Sequence, residues 1–167
     1  MSPVSRYMGL NEFITGLADS LASAPWARRY TSKDELCQAV KAVAEQFLEG
    51  SLKPSGIGYS VWQGVAEPGS SDGIMPVPAL GAVFVPDLTI DVEGSPTVAF
   101  HIAAARSAQG TEAKVGAALG AALCFTRQYP AVIVFLHGTQ PASDYPLRDR
   151  ELMMALWSIH KIRLVLR

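Results

Sequence analysis

The sequence predicts an α/β domain: a mixed β-sheet with a central hairpin, flanked by helices. Two β-branched runs, Ala82 to Val92 and Thr97 to Ala105, are joined by Glu93-Gly94-Ser95-Pro96, which reads as a hairpin turn. The unbroken apolar run Ala131 to Leu136 reads as a central strand buried on both faces. Helical periodicity precedes the hairpin and returns between the later strands, which calls for helices packed on a sheet.

Taken in order, Leu10, Phe13, Ile14, Leu17 and Leu21 recur at helical spacing until Pro25 stops the run. Ser32 with Glu35 three residues on is a capping-box pattern. It opens a second helix with the apolar stripe Leu36, Val40, Val43 and Phe47. Gly50 is expected as its left-handed stop, with Pro54 just beyond. Ile57 to Trp62 reads as a short strand, and the Gly-, Pro- and Ser-rich stretch Gly64 to Gly81 as a surface loop. After the hairpin an alanine-rich helix is expected from about Glu112 to Tyr129. Its Gly116, Gly120 and Cys124, four apart, form a small-residue stripe expected to pack closely on a neighbour. Pro130 ends that helix, Ala131 to Leu136 follows as a strand, and a loop from Gly138 to Pro146 leads on. The chain closes with a helix from about Leu147 to His160 and a strand from Ile162 to Leu166.

The 167 residues fit one domain, 1–167, with 1–31 as an N-terminal helical extension. A hydrophobic fraction of 49% against 17% charged supports a sizeable core. Fourteen Lys and Arg against fifteen Asp and Glu leave a net charge of −1, which excludes coating of nucleic acid by bulk charge but not a local basic patch. Met1 to Leu10 holds no apolar signal core, and no run approaches the ~18 apolar residues of a membrane span, so a cytoplasmic protein without membrane contact is expected. Cys37 and Cys124 both fall in helical stretches and are expected as buried thiols, neither paired nor metal-bound.

The succession Val85-Pro86-Asp87-Leu88-Thr89-Ile90, a turn, Thr97-Val98-Ala99-Phe100-His101-Ile102-Ala103, a helix with Val115 to Leu123, then a buried strand, resembles the PD-(D/E)XK superfamily of restriction-endonuclease-like nucleases. Judged by element order, the resemblance covers the chain from residue 32 onward and implies a restriction-endonuclease-like core. Hydrolysis in such a nuclease uses a hard cation such as Mg²⁺, held by an aspartate on one strand and a Glu or Asp on the next. A lysine two residues after that carboxylate emerges on the same face and orients water or offsets charge at the phosphate.

Asp87 meets the first requirement. A three-residue turn, Glu93 to Ser95, sets Asp87 opposite His101 with Ala103 on the same face, so His101-Ile102-Ala103 stands where the resemblance implies Glu-x-Lys. The helix reads Gly120-Ala121-Ala122-Leu123 where active relatives often carry a glutamine. The resemblance therefore implies a pseudoenzyme: a nucleic-acid-associated binding or assembly module in DNA processing or defence, with nucleic acid or a DNA-processing protein as partner and no cofactor. One alternative is an active Mg²⁺-dependent endonuclease whose site has migrated to Asp87 with Glu112 or Lys114. Another is a structural homodimer without a nucleic-acid role, using apolar surface such as Met153, Met154 or Trp157.

Each candidate also has a plain structural reading. Asp87 fits a sheet edge next to Pro86, and His101 a half-buried side chain among apolar neighbours. Glu35 is explained by its cap. Asp91 and Glu93 are expected solvated at the hairpin tip. Arg28, Arg29 and Lys33, and Arg148, Arg150, Lys161, Arg163 and Arg167, are expected as solvated charges with phosphate contact as the sharper option.

Overall fold

The computed structural model describes residues 9–67, 70, 72–104 and 108–167, with side chains from 113 onward in the last stretch. Helix α1, Leu10–Ser23, buries Phe13, Ile14, Leu17 and Leu21 completely. Past its end, Trp26 Nε1 donates to the Leu21 carbonyl at 2.7 Å and the indole packs on Phe135. The predicted N-terminal extension is thus part of the main core.

Helix α2, Lys33–Ser51, opens as the sequence predicts: Ser32 Oγ accepts the Glu35 N–H at 3.1 Å. The Glu35 carboxylate turns back to Thr31, accepting its N–H and its hydroxyl, one residue short of the usual capping-box partner. The buried face is Leu36, Cys37, Val40, Ala44 and Leu48, so Val43 and Phe47 sit at its border. Phe47 there packs over Gly16 of α1, where a Cβ would meet the ring at 3.0 Å. Gly50 stays helical; the left-handed residue is Gly56, φ 69°, which closes a 3₁₀ turn over Lys53–Ser55.

Strand β1 is Tyr59–Trp62. The expected loop that follows holds more structure than its composition suggests: Val65 bridges Ile74, and β2, Val77–Ala79, pairs with β3, Ala82–Phe84. The long predicted strand from Ala82 is therefore two strands. It breaks at Val85-Pro86-Asp87, because Pro86 has no N–H to give a ladder, and resumes as β4, Leu88–Val92. The turn to β5, Ser95–Ala104, takes only Glu93 and Gly94, at φ 49° and 73°, as a two-residue hairpin requires. A bulge at Thr97, between the pairs Asp91–Pro96 and Ile90–Val98, restores the register that a three-residue turn would give.

Helix α3, Ala108–Phe125, lies four residues earlier than expected at each end. Strand β6, Ala131–His137, is buried throughout. Helix α4, Leu147–His160, and strand β7, Ile162–Leu166, match the predicted limits. One five-stranded sheet runs β1-β4-β5-β6-β7, antiparallel across β1, β4 and β5 and parallel across β5, β6 and β7. Among the described residues no helix is long and apolar enough to cross a membrane.

Helices cover both faces. Leu88, Ile90, Val98, Phe100 and Ile102 join α1 and α2 in one cluster; Ala99, Val132, Val134 and Leu136 join α3 in the other. The expected close approach through Gly116 and Gly120 is not what α3 does. Both glycines are exposed with nothing within 4 Å of an added Cβ, and Ala118, Ala122 and Phe125 make the contact. On α4 the apolar residues divide between the core and solvent. Leu152 and Ile159 are 56% and 71% exposed, while Met153, Leu156 and Trp157 turn inward. Of the residues suggested for self-association, only Met154 projects outward.

Candidate functional site

Asp87 sits where the chain leaves Pro86 and enters β4, one position before the Leu88–Phe100 pair, and so opposite His101. Its N–H donates to the Phe100 carbonyl at 2.9 Å, and its Oδ2 accepts the Ile102 N–H at 2.7 Å. The second bond has a backbone cause. β4 departs at Pro86, so the Ile102 amide has lost a ladder partner, and the carboxylate supplies the acceptor. The other oxygen, Oδ1, lies 2.5 Å from Lys33 Nζ, the first residue of α2. Both oxygens of Asp87 are engaged by this chain's own donors.

His101 Nδ1 is 3.7 Å from Asp87 Oδ2, close but too long for a hydrogen bond. Burial holds the imidazole below its ordinary pKa; the Asp87 charge pulls the other way and the Lys33 charge adds to the lowering. Ala103, two residues on, packs against the α3 cluster. Val98, Phe100 and Ile102 point to the opposite face, under α1 and α2, as the hairpin alignment requires.

Lys114, on α3, reaches back so that its Nζ donates to the Ala104 carbonyl at the end of β5, 3.1 Å away. The Glu112 side chain lies outside the described residues. Glu35 is held at Thr31, and its pKa is lowered by those bonds. A shallow cleft of about 580 Å³ opens beside Asp87, lined by Lys33, Cys37, Gln38, Lys41 and Gln63 among others. Cys37 is buried at its wall, and desolvation, helped by the Asp87 charge, pushes its thiol up to about 11. Both cysteines are free.

Asp91 departs from its expected solvated place. It is half-buried beside Trp62, whose Nε1 donates to Oδ2 at 3.2 Å, and burial raises its pKa despite that bond. The neighbouring Tyr129 phenol is pushed up to about 12, chiefly by burial and then by the Asp91 charge. His137, at the end of β6, places Nε2 2.9 Å from the Ala27 carbonyl, which makes Nε2 the donor and pins the α1–α2 connection to the sheet.

An octahedral Mg²⁺ needs several oxygen ligands. Around Asp87 the described residues offer that carboxylate, already paired with an ammonium, an imidazole and a methyl group, and Asp34 is the other carboxylate lining the cleft. The residues present do not fit the ion. Among the described residues no group of three or more His, Cys, Asp or Glu is arranged to hold a metal. No family model, curated protein or solved structure matches the chain.

Lys33 is the residue that sequence reasoning missed. Composition alone makes it a solvated charge, yet a cation at the first position of a helix opposes the helix dipole and needs a nearby anion to offset it. That mismatch was readable in Ser32-Lys33 at the start of a capped helix.

Proposed function

We propose that this domain is a degenerate nuclease-fold module that binds nucleic acid or assembles with a DNA-processing partner without hydrolysing phosphodiesters. The observation that carries the reading is the state of Asp87: one oxygen holds the Lys33 ammonium, the other the Ile102 amide, and His101 and Ala103 stand beside it. On this reading the ammonium takes the charge-balancing part that a metal ion plays beside such an aspartate in an active nuclease. Element order gives further support, because a helix, three antiparallel strands, a helix and a parallel strand recur here as α2, β1, β4, β5, α3 and β6. Lys33 and Lys41 line the cleft, and the exposed Arg28 and Arg29 lie in the connection that leads into it.

The test is retention of labelled duplex and single-stranded DNA across a salt series. Phosphate contacts through a few lysines and arginines give retention that falls steeply with salt. Reversing Arg28 and Arg29 together to Glu should weaken it at every sequence. Absence of retention at low salt refutes the nucleic-acid role.

A second reading, an active nuclease with a migrated site, draws on Lys114. Its ammonium sits at the end of β5, the strand from which the catalytic lysine of the resembling family projects. This reading requires Lys33 to leave Asp87 and a second carboxylate to join it. Metal-dependent cleavage lost in both Asp87→Ala and Lys114→Ala would establish it.

A further inference from the structure

Strand β7 is an edge of the sheet, pairing with β6 and with no other described strand. Its ladder is bracketed by Val132 N to Lys161 O and Arg167 N to Leu136 O, each 2.9 Å. Backbone groups alternate with period two along a strand, so the N–H and C=O of Leu164 and Leu166 point away from β6. Among the described residues they have no hydrogen-bond partner. This free edge is the floor of a groove of about 390 Å³, walled by Ala18 and Ala22 of α1 and by Arg150 and Met153 of α4.

The groove is cationic as well as unpaired. Arg150, Arg163 and Arg167 all line it and make no ion pair among the described residues. The Nε of Arg167 is buried without an acceptor, a state that costs free energy until an acceptor arrives. Asp19 is the acidic residue on the rim, and it pairs with none of the three. Arg163 and Arg167 share the parity of Val165, which packs towards α1, so both emerge on the α1 side of the strand.

We infer that β7 accepts an acidic, extended peptide segment of a partner protein, added as a further strand along the groove. Its main chain would pair with Leu164 and Leu166, and its acidic side chains would meet Arg163 and Arg167. A second copy of this chain is the poorer occupant. Two-fold pairings of β7 with itself that are centred on Arg163, Leu164 or Val165 oppose Arg163 with Arg163, Lys161 with Arg167, or Arg163 with Arg167. Like charges directly opposite destabilise such a pair.

The probe is the acetylated, amidated peptide Glu-Val-Glu-Val-Glu, followed by fluorescence anisotropy and by amide shifts of the ¹⁵N-labelled full chain. Controls are Lys-Val-Lys-Val-Lys, the acidic peptide N-methylated on its valines and glutamates, and a short DNA duplex. Binding of the acidic peptide with shifts and slowed exchange at the Leu164 and Leu166 amides supports the inference, as does loss on N-methylation. Arg163→Glu with Arg167→Glu should weaken the acidic peptide at least tenfold and admit the lysine peptide. Should that variant misfold, the N-methylated peptide still decides on the unmodified chain. The inference fails if the acidic peptide does not bind at millimolar concentration, or binds equally when N-methylated. It also fails if DNA occupies the same amides in preference, or if Leu164 and Leu166 change with protein concentration alone, which would indicate a second copy.

Discussion

Replacing Asp87 with alanine separates a structural carboxylate from one kept for chemistry. In the native fold its Oδ2 takes the Ile102 N–H at 2.7 Å, and the side chain is only 14% exposed. Alanine leaves that amide without an acceptor at the point where β4 has already departed. A hydrogen bond to a charged group contributes about 1.5–3 kcal/mol. The Lys33 side chain is 55% exposed, so screening limits its share to about 0.5 kcal/mol. Together these give a loss of about 2–3.5 kcal/mol, and at this chain length a melting temperature lower by roughly 4–14 °C. Asp87→Asn keeps an acceptor oxygen and should lose about 1 kcal/mol. Urea unfolding followed by circular dichroism measures both, with the slope against urea expected to stay unchanged. If Asp87→Ala is as stable as the parent or more stable, the carboxylate is held against stability and the structural account of it is refuted.

Gly120→Ala on α3 should stabilise by about 1 kcal/mol, since the site is exposed and an added Cβ meets nothing within 4 Å; thermal melting that drops instead would contradict the packing described. The His101 imidazole should titrate below its ordinary 6.5 in an NMR pH series, because burial outweighs the Asp87 charge. The folded state then binds fewer protons than the unfolded one just below that value, so His101's contribution is present above 6.5 and lost as pH falls through the folded pKa. A His101→Gln variant should flatten that part of the stability profile, and a midpoint above 6.5 would mean that the ion pair dominates. Native Cys37, buried and with its thiol pushed up to about 11, should react with a thiol reagent far more slowly than the half-exposed Cys124; equal rates would contradict its burial.

What could be read from the sequence follows how local the determining physics is. Pro25, the Ser32 cap and the all-apolar β6 run act through neighbours in the chain, and the elements they define fall where expected. The hairpin register was legible through Asp87 and His101 although the turn was not, because the Thr97 bulge compensates for the shorter Glu93-Gly94 loop. The β2–β3 hairpin was hidden by Pro78 and its glycine-rich surroundings, yet Pro is tolerated in a two-stranded edge. The glycine stripe of α3 misled because close approach needs small residues on the buried side, and alanines at 118 and 122 supply it while the glycines face solvent. The contact between Lys33 and Asp87 joins residues 54 positions apart, so it depends on how α2 lies against the sheet. Only the unfavourable position of Lys33 at a helix N-terminus hinted at it.

The most direct test of the central claim is incubation of the purified full chain with supercoiled, linear and single-stranded substrates in Mg²⁺ and in Mn²⁺, beside Asp87→Ala. The account predicts no cleavage above the control in either metal, because the Asp87 carboxylate is bound to Lys33 and the Ile102 amide and faces an imidazole and a methyl group. Cleavage that follows the protein through purification and disappears in Asp87→Ala would contradict it.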